Sequence, residues 1–255
     1  TDRAKTYASS RVRIARAAAP VPFTLPQQLY DVDPSRSAEL RRSAVELSGA
    51  GPRPFDASQR LAAPLYLLDV NRPFGGWTVL ARTPDAPSSI PLSELGLAQD
   101  GEYVAFEFWT RKFQGPFTRT LRAGPVDSAF GVQVFCIHRK ELHPQLLSTS
   151  RHVSCGAPDL KDIRWADGVL SGSSEVVPNQ TYTLYLTEPS GWRFERAGTA
   201  DSLTVDSYRD GPVRVIRIHV RAKQRIAWRT SWLRVPADGF KSKPAEDEKT
   251  AGVND

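Results

Sequence analysis

Methionine is absent from all 255 residues, and the chain opens Thr1-Asp2-Arg3. A translated polypeptide begins with an initiator, so these residues are expected to be the later part of something longer. No apolar run approaches the roughly 20 residues that span a bilayer, and no secretory hydrophobic region opens the chain. A membrane partner is not expected. Cysteine occurs twice, at Cys136 and Cys155. Cys136 lies in the apolar run Val132-Gln-Val-Phe-Cys-Ile137, where a small buried hydrophobe is the plain expectation. Cys155 precedes Gly156 at a strand end. Whether the two pair depends on whether their strands are neighbours, and the compartment stays open with it.

Self-contained catalytic motifs are missing as well. There is no G-x-S-x-G elbow, P-loop, G-x-G-x-x-G or H-E-x-x-H. The four histidines are His138, His143, His152 and His219. His138 shares a strand parity with Cys136, but zinc needs three or four convergent ligands, so no metal and no cofactor is expected. Asp31 and Asp33 form a D-x-D in which one acid serves a helix cap, and Asp159 and Asp162 flank a strand start. A glycosidase pair needs carboxylates at a defined separation across a sugar, which spacing in sequence does not show for either pair. The sequon Asn179-Gln-Thr181 is short enough to arise by chance.

What is present is a folding composition. Apolar residues make up 40% and charged residues 24%, enough for at least one sizeable core. Against 28 acids stand 34 Lys and Arg, a net charge of +6. The charge is spread along the chain, with Arg alternating with apolar residues as in Val213-Arg-Val-Ile-Arg-Ile-His-Val-Arg221. A period of two reads as a strand with one wet face, not as the concentrated basic footprint of a nucleic-acid binder. No nucleic-acid partner is expected.

Hydrophobic spacing divides the chain into three parts. Residues 1–60 read as a helical segment. Ala8, Val12, Ala15 and Ala19 form one helix stripe that Pro20 and Pro22 stop. A second helix has Asp33 as N-cap, Pro34 at the first position and Gly49 at the exit, with Leu40, Ala44 and Leu47 on its apolar face. Gly51-Pro-Arg-Pro-Phe-Asp56 is a linker. Across residues 61–235 the period becomes two. Val104, Phe106 and Phe108 share a face, as do Tyr182, Leu184 and Leu186, opposite Thr181, Thr183 and Thr187. Ile226, Trp228 and Trp232 share a parity. Pro73-Phe-Gly-Gly76, Asp100-Gly101, Asp167-Gly168 and Asp210-Gly211 mark turns between runs. Eight or more strands without a helix predict an antiparallel, Greek-key-like β-sandwich, each strand keeping one polar face. Residues 236–255 are charged and poor in large apolar groups, as a disordered tail is.

Six tryptophans supply possible stacking surfaces for sugars: Trp77, Trp109, Trp165, Trp192, Trp228 and Trp232. Large aromatics ordinarily fill cores, and Trp109 and Trp228 share parity with core positions. Trp192, in Pro189-Ser-Gly-Trp-Arg193, falls on a turn and is the candidate for an exposed, carbohydrate-binding ring.

Several spaced strings then come in one order. Arg53-Pro-Phe-Asp56 is followed by Leu65-Tyr-Leu-Leu-Asp69, Gly76-Trp-Thr-Val-Leu80 and Leu92-Ser-Glu-Leu-Gly-Leu97. Glu102-Tyr-Val-Ala-Phe-Glu-Phe-Trp109 comes next, and then Pro144-Gln-Leu-Leu-Ser-Thr-Ser-Arg-His152 with Gly156. Over roughly residues 25 to 190 this order resembles the C-terminal portion of α-galactosidase-like retaining glycoside hydrolases (families 27 and 36). In those enzymes a (β/α)8 barrel precedes an antiparallel β-sandwich. The resemblance implies that residues 1–60 end a catalytic barrel and that 61–235 are its non-catalytic sandwich. Carbohydrate would then be met through the barrel, whose catalytic aspartates lie upstream of Thr1, so no catalytic residue is assigned here. Thr83-Pro84-Asp85 departs from the aromatic-Asn pair usual in the family. The alternatives are a stand-alone carbohydrate-binding sandwich and a structural module without sugar chemistry.

Overall fold

A computed structural model describes residues 65–222 and 224–235. The helical segment and barrel end expected over 1–60 and the tail expected over 236–255 lie outside the described residues. Within them the chain is mainly β and wholly antiparallel, and no helix occurs.

Fifteen strands form three sheets and a ribbon. The first sheet is built from β1 (Leu65–Arg72), β2 (Gly75–Arg82), β4 (Tyr103–Glu107), β5 (Phe113–Phe117) and β7 (Gln133–Arg139), in the order β1-β2-β7-β4-β5. The ribbon pairs β3 (Ser89–Pro91) with β6 (Thr120–Arg122). The second sheet runs β13-β14-β11-β8, using β8 (Leu146–Thr149), β11 (Thr181–Thr187), β13 (Val205–Asp210) and β14 (Val213–His219). The third runs β12-β15-β10-β9, using β9 (Leu160–Ala166), β10 (Val169–Glu175), β12 (Trp192–Thr199) and β15 (Arg225–Arg234). From β8 onward the chain passes back and forth between the second and third sheets, so these two are laid down together.

The turn residues act where chemistry favours them. Asp167 and Gly168 both take positive φ, +49° and +77°, and Ala166 pairs with Val169 across them. That is the two-residue hairpin for which Asp-Gly is suited. Gly172 is needed for a different reason. A Cβ there would lie 2.5 Å from the Trp228 ring and 2.5 Å from the Asp162 carbonyl, so the bare backbone lets that indole lie flat under β10.

Alternation along the strands sorts side chains between two cores. Val79, Ala81, Val104, Phe106, Val134 and Cys136 join one cluster, while Leu80, Tyr103, Ala105, Phe135 and Ile137 join another. The second cluster is closed by Ile90 and Leu121 of the ribbon and by Leu92 and Leu95 of the turn after it. β11 is likewise buried on both sides. Tyr185 meets Phe106 of the first sheet with ring centroids 4.7 Å apart, while Tyr182 reaches Ser174 of the third. The one-polar-face expectation therefore fails for β2, β4, β7 and β11: Thr183 and Thr187 are buried. More than two layers stack here, and the middle strands see apolar surface on either side. Ile226, Trp228 and Trp232 share one face as their parity predicts, and that face is buried.

Two internal ties cross these layers. Cys136 of β7 is disulfide-bonded to Cys155, with Cα atoms 6.2 Å apart, which answers the pairing question that spacing left open. The second tie is a directed hydrogen-bond chain. Trp228 Nε1 donates to Ser174 Oγ (3.0 Å), Ser174 lies 2.9 Å from the Tyr182 hydroxyl, and that hydroxyl donates to Asp159 Oδ2 at 2.6 Å. Asp159 is fully buried. Burial pushes its carboxyl above the ordinary 3.8, partly offset by the Tyr182 hydrogen bond.

Both ties give measurable consequences. The disulfide closes a short loop, 19 residues in sequence separation, so chain entropy assigns it about 3 kcal/mol. Cys136→Ala/Cys155→Ala is expected to lower the unfolding free energy by about that amount in denaturant titrations, and an unchanged midpoint would refute it. For Asp159 the folded pKa is raised, so the stability tied to its protonated form is full at low pH and is lost as pH climbs through the folded value. Asp159→Asn keeps an acceptor for Tyr182 and cannot ionise. Its stability relative to the parent is expected to rise as pH climbs above the ordinary carboxylate value of 3.8, whereas a pH-independent difference would show that the carboxyl titrates normally.

Candidate functional site

Where the β1–β2 hairpin, the loop 140–145 and β9 meet, they leave an open cleft of about 240 Å³. The two-residue connection Pro73-Phe74 places Phe74 at its mouth, with the Arg72 guanidinium 5.6 Å from the ring centre. Arg72 also donates to the Leu160 carbonyl (3.1 Å), which fastens the hairpin to the start of β9. Trp77 lies deeper and donates its Nε1 to the Ser154 carbonyl at 3.0 Å. The His138 ring lies 5.8 Å from Trp77, with a 20° interplanar angle. His138 Nε2 is bonded to the Leu147 carbonyl at 2.8 Å, so Nε2 carries the proton. Burial lowers its pKa to about 4, opposed by that bond. The histidine is therefore a neutral, apolar-facing wall at physiological pH.

The loop 140–145 supplies the other wall. Gln145 closes it on itself, accepting from Glu141 N and donating to Arg139 O. Held this way, His143 stacks on Trp165 of β9 with centroids 4.6 Å apart and planes within 7°. Trp192 stands edge-on to Trp165, 5.0 Å away at 90°, and its Nε1 donates to the Leu142 carbonyl at 2.9 Å. Leu142 itself is 84% exposed. A side-chain-to-carbonyl bond and a ring stack thus tie this loop to the third sheet.

Trp192 begins β12 directly after its turn and is half-buried. It does not line the cleft. Trp165, which Trp192 braces, does line it, together with Phe74, Trp77 and His143. Trp77 and Trp165 are among the six tryptophans that the sequence offers for stacking, but their grouping with Phe74 and His143 is not legible there, because the contacts joining them run between separate strands. Trp109 and Trp228 lie elsewhere. Trp109 stacks on Phe130, with centroids 5.8 Å apart, and Trp228 is in the core.

Chemically, the cleft offers flat apolar faces beside few polar groups. Aromatic rings present apolar faces to which the C–H faces of a sugar can stack, leaving its hydroxyls to polar neighbours. The carboxylate in the lining is Glu141, an exposed residue. No group of three or more metal-ligating side chains gathers among the described residues, and no helix there is long and apolar enough to cross a membrane. Comparison with family models, curated proteins and solved structures finds no match to this chain.

If Trp192 positions the loop through its N–H, then Trp192→Phe should speed amide hydrogen exchange over residues 140–143 while the edge-on contact to Trp165 persists. Unchanged exchange there would show that the loop holds without that bond.

Proposed function

We propose that residues 65–235 are the non-catalytic, Greek-key-like β-sandwich region of a retaining glycoside hydrolase resembling α-galactosidases. In this reading the region braces an upstream barrel that cleaves α-linked galactosides or related sugars. The supporting observation is where the spaced strings fall. Trp77 of Gly76–Leu80 donates to Ser154, inside the stretch that runs from Pro144 to Gly156. Leu146, Leu147, Ser148 and Thr149 of that stretch are buried. Gly156 takes φ +107°, and a Cβ there would lie 2.4 Å from Leu160. Tyr103 to Phe106 of the Glu102–Trp109 string are buried, as are Leu92 and Leu95 of the Leu92–Leu97 turn. The strings that carry the resemblance are thus the framework of the fold, which is what a shared architecture would retain.

The aromatic cleft favours a second reading, in which the same region holds carbohydrate itself. Each is tested separately. The reading frame extended upstream of Thr1 is expected to encode a barrel and to hydrolyse a nitrophenyl α-galactoside that residues 1–255 leave intact. Hydrolysis by residues 1–255 alone, or an upstream frame without a barrel, would sink the first reading. For the second, galactose and short galactosides titrated into residues 1–255 should bind, and Trp165→Ala should weaken binding about tenfold. Binding that survives this change would place the sugar elsewhere.

A further inference from the structure

The outer face of the third sheet gathers the alternating arginines. Even-numbered residues of β15 point into the core, since Ile226, Trp228, Thr230 and Trp232 are buried, so Arg225, Ala227, Arg229, Ser231 and Leu233 point out. Cross-strand register then fixes their neighbours. Arg229 pairs with Ser171, which pairs with Arg164 on the far side. Ser231 pairs with Arg196, and Leu233 with Arg193. Three of the four strands, β9, β12 and β15, therefore present Arg164, Arg193, Arg196, Arg225 and Arg229 on one surface, all of them exposed. Neighbouring strands lie about 4.8 Å apart, so Arg164 and Arg229 are about 10 Å from each other across Ser171.

Four of the five arginines are unspent. Arg225 approaches Ser173 at 3.5 Å, whereas the guanidinium groups of Arg164, Arg193, Arg196 and Arg229 make no hydrogen bond or ion pair with any described residue; Arg164 takes part through its carbonyl, which accepts from Ser171 Oγ at 3.5 Å. Acids on or near the face are Asp162, Glu195 and Glu175, and Glu175 is already paired with Lys161 at 3.2 Å. The second sheet behaves differently. Its exposed Arg217 lies over the Tyr208 ring at 4.9 Å, and His219 bonds Asp206 at 2.7 Å. Basic charge on the third sheet is thus concentrated and only partly offset, with Glu175 opposite Arg225 and Asp162 on the same face of β9 as Arg164, in contrast to its even spread along the sequence.

We propose that this face binds a sulfated or carboxylated polysaccharide. Guanidinium forks hydrogen-bond sulfate and carboxylate oxygens in pairs, and the serines between them (Ser171, Ser173, Ser231) offer hydroxyls to sugar hydroxyls. The residues separating the arginines are small: Ala166, Val169, Ala227 and Gly198, above which a Cβ would meet nothing. An extended chain can lie across such a flat surface. Nucleic acid fits less well. The face carries no aromatic ring for base stacking, and a broad four-stranded sheet cannot enter a major groove that admits a helix or a two-stranded ribbon. The face is separate from the aromatic cleft, so its ligand need not share the cleft's specificity.

The test uses residues 1–255 with immobilised heparin as the sulfated chain, uncharged dextran as control and a short DNA duplex as the competing polyanion. Heparin is expected to bind, dextran not, and affinity should fall on the order of a hundredfold between about 50 and about 200 mM salt if four arginines engage the chain. Arg164→Gln/Arg229→Gln should lower heparin affinity at least tenfold. Arg122→Gln/Arg139→Gln, exposed residues on β6 and β7 with the same change in net charge, should lower it less than threefold, and Trp165→Ala should leave it unchanged. Equal losses in the two double variants would reduce the effect to net charge and overturn the proposal. DNA binding as tight as heparin, and equally sensitive to Arg164→Gln/Arg229→Gln, would overturn it in favour of a nucleic-acid surface.

Discussion

A β-sheet covered on both faces cannot export a polar group to water, and this constraint governs the molecule. β2, β4 and β7 contribute alternate residues to two separate cores, so every polar side chain among them must be answered inside. Arg82 is 3% exposed and donates to the carbonyls of Gly124 and Ala86 and to Gln133 Oε1, at 2.8 to 2.9 Å. Glu107, 2% exposed, accepts from the amides of Val134, Trp109 and Thr110. A buried charge costs heavily unless it is hydrogen-bonded. Each makes one bond to β7, at Gln133 Oε1 and Val134 N, and directs the others to irregular backbone, the loops after β2 and β6 and the turn after β4. The charges therefore hold in place segments that no strand ladder reaches.

The same constraint explains where the cleft lies. The hydrogen-bond chain from Trp228 to Asp159 fixes β9 and β10 against β11, and the Cys136–Cys155 bond fixes the segment before β9 against β7. Between these anchors, loop 140–145 and the β1–β2 hairpin approach each other without a shared ladder, and large rings fill the gap incompletely. His138, held neutral by burial, lets Trp77 pack without a charge beside it. The opening is thus a consequence of joining three sheets at a corner, lined by whatever aromatic surface the corner carries.

How much of this was legible beforehand differs by residue. The period of two announced the strands, and Asp167-Gly168 announced its hairpin, because both signals are local. Ile226, Trp228 and Trp232 were expected on one face and are buried together, since parity along one strand suffices to group them. The double burial of β11 was not legible: Thr183 and Thr187 read as a wet face until a further layer covers them, and layering is a long-range fact. Trp192 was singled out for lying on a turn, yet its partner is a carbonyl fifty residues away. Trp165 and His143 stack only because Gln145 folds the intervening loop, and no spacing rule anticipates that. Pairing of Cys136 with Cys155 depended in the same way on which segments became neighbours.

Charge follows the layering too. An arginine whose side chain enters the first sheet, such as Arg82, must be swallowed by carbonyls. An arginine on the second sheet's outer side finds an aromatic or acidic neighbour on β13, as Arg217 does with Tyr208. On the third sheet most outward positions hold small residues and serines, and Glu175, the acid opposite Arg225, is bonded to Lys161, so four guanidinium groups keep no bonded partner. An Arg-apolar alternation looks dilute when charge is counted along the chain. Folded into a sheet with β9, β12 and β15 in register, it becomes dense on one face, because the apolar half of each repeat is turned inward and the spacing between strands is shorter than the spacing along them. Linear charge density is therefore a poor guide to surface charge in a β protein, and parity combined with cross-strand register is a better one.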